Sequence, residues 1–246
     1  MKKFLEYIKS KRGAIGIGTL IIFIALVLVA AVAAAVIINT AGHLQQKASL
    51  VGRESTKQVA SGIQVIKVAG YANSTNSTNS TQFQYNRIVG LAIFIGPNIG
   101  DQVDLTSTIV VLSNKEKKAS LVYSGVIEYI DGSGTDNIFK GLIDTNNTKN
   151  LTIDNTTITY NAGWILDNVS MFGIIVLQDE DKSTYGPHPT INYGDKVVLT
   201  VNVGQILGGI SPRERISGEV IPEYGASGII EFITPSTYNR KVIYLQ

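Results

Sequence analysis

The sequence predicts an α+β protein in which a long N-terminal hydrophobic α-helix is followed by an antiparallel β-sandwich of the immunoglobulin-like type. Three observations predict this fold: a charge-free run at residues 14–38, a tandem polar repeat NSTNSTNST at 73–81, and short β-rich runs separated by turn signals after Phe83. We therefore expect four segments: a basic leader (1–13), a helix (14–70), an Asn/Ser/Thr-rich linker (71–82) and a β-sandwich (83–246).

The apolar run is long enough to cross a lipid bilayer. At about 1.5 Å per residue it spans roughly 37 Å, against about 30 Å for a hydrocarbon core. Five of the 21 basic residues lie in the first 12 positions, which predicts a cytoplasmic N-terminus. The run is longer than the apolar part of a secretory signal and has no polar break after it, so we expect it to be retained.

The same run must bury a large apolar surface. Fifteen Ile, Leu, Val and Phe side chains lie between Ile15 and Ile38, and exposing them to water would cost upward of roughly 20 kcal/mol. Small residues cluster from Ala30 to Ala35, which allows helices to approach closely. A helix that packs against copies of itself and a plain single-span anchor both fit this stretch.

The helix is expected to continue beyond the apolar run. Leu50, Val51, Val59, Ile63 and Ile66 recur near helical spacing between charged residues, which predicts an amphipathic extension to about residue 69. A helix over 14–69 would be roughly 84 Å long. This length exceeds the thickness of any bilayer and suits a bundle of identical helices.

Both ends of the chain resemble one family. The leader ends in Lys11-Arg12-Gly13 and is followed directly by Ala14-Ile15-Gly16-Ile17-Gly18 and the apolar helix, which resembles the class III signal of archaeal flagellins (archaellins), relatives of type IV pilins. Bacterial type IV pilins usually carry a glutamate where Gly18 stands, which favours an archaellin. The stretches 220–225, 228–232 and 234–238 also resemble archaellin ends.

The resemblance implies a processed structural subunit. A membrane prepilin peptidase would cut between Gly13 and Ala14, and the subunit would wait in the cell membrane before it polymerises, alone or with other archaellins, into the extracellular filament of the archaeal flagellum. That filament serves swimming and surface attachment. The residues expected on the assembly helix are Ile15, Gly16, Leu20, Phe23, Leu26, Ala30, Ala31, Ala34 and Ala35. A type IV adhesive pilin and a membrane-anchored surface-layer or binding protein are the alternatives.

N-glycosylation is predicted because acceptor sequences are unusually dense. Seven N-x-[ST] sites occur, and three of them stand in direct tandem at the expected domain junction. The candidate asparagines are Asn73, Asn76, Asn79, Asn146, Asn150, Asn155 and Asn168.

The composition argues against most catalytic or nucleic-acid chemistry. The chain has no cysteine and two histidines, and it lacks the hydrolase, phosphate-loop and zinc-peptidase motifs. Beyond residue 13 the net charge is −2, so no basic footprint for nucleic acid is expected. No cofactor is expected either. Asp179 and Asp181 belong to the densest acidic cluster, which we interpret as a solvated strand end; a calcium site is the alternative.

Overall fold

The computed structural model describes residues 2–75, 84–98, 102–130, 134–144, 146–153 and 156–246. The chain divides into two compact units, Met1–Ser55 and Thr56–Gln246. The first consists of helix, and the second carries all of the strands.

Helix α1 extends over Lys2–Ala60, a length of 59 residues. No proline interrupts it, and most of its residues from Leu20 to Ala35 are good helix formers such as alanine and leucine. Its large apolar side chains from Ile17 to Val59 are between 52 and 84% exposed. Because packing within the chain buries none of them, the predicted need for an external apolar environment applies to the whole helix.

The predicted end of the helix near residue 69 is wrong, and so are the boundaries 14–70 and 71–82. The helix ends at Ala60, and strand β1 begins at Ile63 and runs to Thr75. Register shifts between Val65 and Lys67 disturb the two-residue alternation of this strand, so that its apolar residues mimic helical spacing. Pairing of β1 with two other strands decides its structure. Residues 76–82 of the expected linker lie outside the described residues.

In the described part of the second unit, thirteen further strands and two short helices follow. Their bounds are β2 Gln84–Pro97, β3 Val103–Asp104, β4 Ile109–Ser113, β5 Lys118–Tyr129, α2 Lys140–Ile143, β6 Lys149–Ile153, β7 Thr156–Asn161, β8 Trp164–Ile165, β9 Met171–Gln178, β10 Thr190–Ile191, β11 Lys196–Val201, α3 Val203–Ile206, β12 Arg215–Ile221, β13 Gly228–Ile233 and β14 Val242–Tyr244.

Nine of the strands form one sheet in the order β13-β12-β4-β5-β9-β11-β2-β1-β14. Neighbouring strands within this sheet are antiparallel except for β5 and β9, which run parallel. The residues between these two strands form a separate three-stranded sheet of β6, β7 and β8 together with α2. The predicted class, a long apolar helix followed by a mostly antiparallel β domain, is confirmed.

The sheet rolls until its two ends meet. Gly62, just before β1, forms a parallel bridge with Ala226, just before β13, and Ala226 exchanges hydrogen bonds with Ser61 and Ile63 at 3.0 Å each. Side chains from both ends of the strand order, such as Val68 and Ile230, therefore share one core. One continuous sheet supplies both β layers of the domain.

The excursion between β5 and β9, that is, the segment that contains α2 and β6 to β8, covers part of the outer face of the nine-stranded sheet. Trp164 of β8 is fully buried there and donates a hydrogen bond from Nε1 to the carbonyl of Ile138 at 2.8 Å. Its indole packs with Phe139, 5.4 Å between ring centroids, above Val198 of β11. Strand β11 is consequently buried on both faces from Val197 to Val201.

Replacement of Gly225 by alanine is expected to destabilise the closure of the sheet. Gly225 has φ +96, and an added Cβ would lie 2.1 Å from the carbonyl oxygen of Ser61. Gly194 has a similar φ of +103 with nothing within 4 Å of an added Cβ, so Gly194→Ala is a matched control for backbone strain alone. The steric overlap of the alanine Cβ with the Ser61 carbonyl oxygen should lower the free energy of unfolding by about 2 kcal/mol more in Gly225→Ala than in the control.

Thermal or denaturant unfolding of the full chain in detergent measures this difference. Equal losses in the two variants would show that the contact between Gly225 and Ser61 does not limit the stability of the β domain.

Candidate assembly surface and carboxylate cluster

The residues predicted to drive assembly lie on one uninterrupted helix. Leu20, Phe23 and Leu26 are exposed on α1, and so are Gly16 and the four predicted alanines, Ala30, Ala31, Ala34 and Ala35. Gly13, Ala14 and Ile15 belong to the same helix by their backbone, but their side chains lie outside the described residues. The alanines and Gly16 leave the backbone of α1 open to close approach by another helix.

The polar groups within the apolar part of α1 are satisfied inside the helix. Thr19 donates its hydroxyl to the carbonyl of Gly16 at 2.9 Å, and Thr40 donates to the carbonyl of Val36 at 2.6 Å. Hydroxyl groups that are bonded in this way can enter lipid or a helix bundle at little cost. The threonines therefore do not interrupt the apolar surface.

The helix is long and apolar enough to cross a membrane. The stretch from Gly16 to Val59 qualifies by length and composition alone. Charged side chains resume at Lys47, and His43 stands exposed before them. The apolar half of α1 thus precedes a more polar half that still carries exposed Leu50, Val51 and Val59.

Four of the seven predicted glycosylation sites can be placed. Asn73 lies on β1, Asn150 on β6, and Asn146 and Asn168 in loops, and all four are exposed. Their side chains are accessible to a transferase from solvent. Asn76, Asn79 and Asn155 lie outside the described residues.

The acidic cluster contains a third carboxylate that the sequence analysis missed. Asp195, in the turn before β11, joins Asp179 and Asp181 after β9, and their nearest carboxylate oxygens all lie within 4.8 Å of one another. Strands β9 and β11 pair side by side, with Lys196 opposite Gln178, and this register brings the two loops together. Asp179 and Asp195 are buried, whereas Asp181 is exposed.

Hydrogen bonds from the surrounding loops stabilise all three carboxylates. The backbone N–H of Ser183 donates to Asp179 at 3.2 Å and to Asp181 at 3.1 Å, and that of Asn192 donates to Asp195 at 2.8 Å. The Thr184 hydroxyl also donates to Asp179. The three groups could hold a hard cation such as calcium, which prefers carboxylate oxygens, but they are satisfied as a hydrogen-bonded cluster as well.

The environment shifts the pKa values of two of these carboxylates in opposite directions. The side-chain hydrogen bond from Asn192, at 2.5 Å, is the largest cause of the lowered pKa of Asp181. Burial is the largest cause of the raised pKa of Asp195, and the charges of Asp179 and Asp181 raise it further. Folding therefore strengthens the binding of a proton by Asp195 relative to the unfolded chain.

Comparison with known proteins gives consistent matches over the whole chain. The family described as archaeal-type flagellin matches residues 13–232. Flagellin B3 of Methanocaldococcus jannaschii is 56% identical over 245 residues, covering 98% of this chain and 99% of that protein. Flagellin B3 of Methanococcus voltae is 49% identical over 249 residues, with coverage of 98 and 99%.

Solved structures of two archaeal proteins share the fold. The crystal structure of archaeal flagellin FlaB1 from Methanocaldococcus jannaschii aligns with a TM-score of 0.54 at 28% identity, covering 76% of this chain and 98% of that one. A chain of the archaeal flagellum of Methanospirillum hungatei aligns with a TM-score of 0.54 at 17% identity, covering 93 and 98%. The second likeness shows the fold alone.

The raised pKa of Asp195 predicts a pH-dependent stability that Asp195→Asn removes. Because the folded-state pKa lies above the unfolded value of about 3.9, the group stabilises the fold below that value. This contribution is lost as the pH rises through the folded-state pKa. The Tm of the wild type relative to Asp195→Asn should therefore be higher at about pH 4 than at about pH 7.

Thermal melts of the full chain in detergent with a chelator measure this difference. Glu180→Gln, which removes an exposed carboxylate from the same loop, is the control for the loss of one negative charge. A wild type that gains stability over Asp195→Asn as the pH rises would contradict the assigned shift. Added calcium tests the alternative role of the cluster, since bound cation would raise the Tm of the wild type and not that of Asp195→Asn.

Proposed function

The chain belongs to the archaeal-type flagellin family, and we propose that it is a structural subunit that polymerises through α1 into the filament of the archaeal flagellum. The observation that carries the proposal is the unburied apolar surface of α1. Fourteen large apolar side chains between Ile17 and Ile38 are each more than half exposed. At about 1.5 kcal/mol each, their burial is worth roughly 20 kcal/mol.

Copies of the same helix are the partners that this surface fits. Lipid can cover it for one subunit at a time, because a helix satisfies its backbone hydrogen bonds internally and can wait in the membrane. In a filament, the neighbouring helices replace the lipid, and the small side chains from Ala30 to Ala35 permit close packing. The filament then grows from the cell membrane to the cell surface without a soluble intermediate.

The burial of α1 in an apolar bundle also requires that the charged leader is removed. Lys2, Lys3, Lys9, Lys11 and Arg12 precede the apolar helix, and unpaired charges carried into a dry bundle of helices would cost several kcal/mol each. Cleavage between Gly13 and Ala14 by a prepilin peptidase would remove all five. The mature subunit would begin with the apolar helix itself.

Glycans on the β domain would decorate the exterior of such a filament. The exposed acceptors Asn73, Asn146, Asn150 and Asn168 are the candidates that the structure describes, and Asn76, Asn79 and Asn155 remain candidates by sequence. Glycopeptide mass spectrometry of surface filaments should find sugar on at least one of Asn73, Asn76 and Asn79. If all three asparagines are bare, the prediction from the tandem repeat is wrong.

The alternatives share the helix but not the family. An adhesive type IV pilin or an anchored binding protein would also need an apolar N-terminal segment. Relatives that match 98% of the chain are named flagellins, which favours a filament used for motility. Calcium binding at Asp179 and Asp181, joined by Asp195, remains the alternative role of this cluster.

Gly13→Val is expected to block processing, because the peptidase must accommodate a small residue before the cut. The intact mass of the subunit should fall by residues 1–13 in the wild type and remain that of the full chain in the variant. A wild-type surface protein that retains these 13 residues would contradict the proposal.

Ala31→Leu is expected to impair filaments without impairing membrane insertion. The larger side chain would separate neighbouring helices, whereas leucine is at least as lipophilic as alanine. Val32→Leu, which adds a single methylene on the same helix, is the control. Membrane fractionation measures insertion and electron microscopy measures filaments.

Normal filaments from Ala31→Leu would show that this part of α1 does not pack closely against its neighbours. Loss of insertion in the same variant would contradict the separation of the two steps.

A further inference from the structure

The outer face of the nine-stranded sheet is covered on one half only. The excursion packs over β1, β2, β9 and β11. The residues buried beneath it come from those four strands: Ala69, Ala92, Ile175 and Val198. On the other half, which consists of β5, β4, β12 and β13, a face that meets water should carry polar side chains. Its outward positions are largely apolar instead.

A first row of aliphatic side chains crosses this uncovered half. Met171 of β9 pairs with Val122 of β5, and Ile109 of β4 pairs with Ile221 of β12. The register of β4 with β5 places Ile109 beside Val122. Chain neighbours such as Val110 are buried in the core, so the row faces outward. Ile109 and Val122 are 37 and 46% exposed, and the other two residues of the row are partly buried.

A second row lies beside the first. Glu219 of β12 pairs with Val111 of β4 on one side and with Ile229 of β13 on the other. Ile229 is 68% exposed. Glu219 accepts a hydrogen bond from the Ser227 hydroxyl at 3.4 Å and is the one charged side chain among the described residues of the two rows. We call the aliphatic members of both rows the apolar patch: Met171, Val122, Ile109, Ile221, Val111 and Ile229.

The apolar patch lies beside the point where α1 enters the β domain. Gly62 follows α1 and forms a bridge with Ala226, and β13 begins two residues later at Gly228. Ile229 is the next residue, so it is held close to the end of α1. A helix that packs beside the end of α1 in one copy therefore lies close to the apolar patch of that copy.

The second half of α1 carries one apolar stripe. Leu44, Val51 and Val59 are separated by seven and eight residues, so at about 3.6 residues per turn they fall within roughly 80° of one another on the helix. Arg53 and Lys57 fall on the opposite side. All three apolar side chains are at least 63% exposed. A helix with one stripe packs on one side only, whereas a helix that is apolar all round packs on every side.

We propose that the stripe formed by Leu44, Val51 and Val59 in one copy docks on the apolar patch of a neighbouring copy in the filament. The inference rests on the proposed function, because it assigns a second contact to the helix that assembles the polymer. Both surfaces are exposed in the single chain, and one contact buries both of them. The contact joins unlike surfaces, so it propagates along a polymer.

Glu219 favours a helix over a second apolar patch as the occupant. Two patches face to face would bring two Glu219 carboxylates into one apolar contact, where neither charge has a partner. Residues 44–59 of α1 instead carry a net charge of +2, from Lys47, Arg53 and Lys57 against Glu54. Lys47 lies one turn before Val51 and borders the stripe. Its long side chain can pair with Glu219 while the stripe covers the aliphatic groups.

Cysteine cross-linking in isolated filaments tests the contact, because the native chain has no cysteine. Ile229→Cys is combined in turn with Leu44→Cys, Val51→Cys and Val59→Cys, and the filaments are treated with a short bismaleimide. At least one of the three pairs should give a ladder of multimers larger than dimers in denaturing electrophoresis. Each chain would be joined to one neighbour through its patch and to another through its stripe. The single-cysteine variants should stay monomeric.

Two matched pairs control for chance encounters of exposed cysteines. Ile143→Cys replaces Ile229→Cys in the first pair, at a site on α2 that is 46% exposed and lies outside the apolar patch. Leu50→Cys replaces the stripe cysteine in the second pair, on the charged side of α1. Neither pair should form a ladder.

A photoreactive benzophenone residue in place of Ile229 provides a second test if a cysteine variant does not assemble. It is carried by a minority of subunits in otherwise wild-type filaments. The cross-linked product should have the mass of a dimer, and mass spectrometry should map the attachment to residues 44–59 of the other copy.

Several results would overturn the inference. These are filaments without cross-links to position 229, cross-links from that position to its own chain or to another β domain, and equal ladders in the control pairs. A wild-type chain that forms no filaments would instead contradict the proposed function itself.

Discussion

The exposed apolar surface of α1 is the constraint on which the rest of this molecule depends. The β domain buries its own apolar side chains in two clusters, but every large apolar side chain described on α1 is exposed. A helix of this composition has only two stable surroundings, lipid and other apolar helices. A subunit that passes from the first to the second can be stored in a membrane and then assembled.

The β domain, in contrast, is built to be self-sufficient. The sheet closes on itself through the bridge between Gly62 and Ala226, and the excursion that carries Trp164 covers part of its outer face. Among the described residues, each buried side-chain nitrogen or oxygen has a hydrogen-bond partner. Assembly therefore does not require the β domain to unfold or to exchange strands, and its surface is free to carry charge and sugar.

Much of this architecture was predictable because the two units follow different rules. The charge-free run from residue 14 to 38 can only be a long apolar helix, and alternation in runs such as 197–203 identifies strands. The start of β1 was not predictable in the same way, because the register shift near Lys67 spaces Ile63 and Ile66 as a helix would. Strand β12 has a weak sequence signal, because Gly218 interrupts the alternation of inward side chains between the buried Ile216 and Val220. An added Cβ at Gly218 would lie 2.2 Å from the Val111 carbonyl oxygen, so a larger residue is excluded there. The position of Asp195 in the acidic cluster was not predictable either, because only the pairing of β9 with β11 brings it to Asp179 and Asp181.

The central claim, that polymerisation resides in α1, is tested most directly by comparing the processed chain with residues 56–246. The shorter chain keeps all of β1, whereas a cut at residue 72 would remove most of the strand that pairs with β2 and β14. Sedimentation and electron microscopy should show filaments of the processed chain and a folded monomer of residues 56–246. If the shorter chain forms filaments of the same diameter, α1 is only an anchor and the account is wrong.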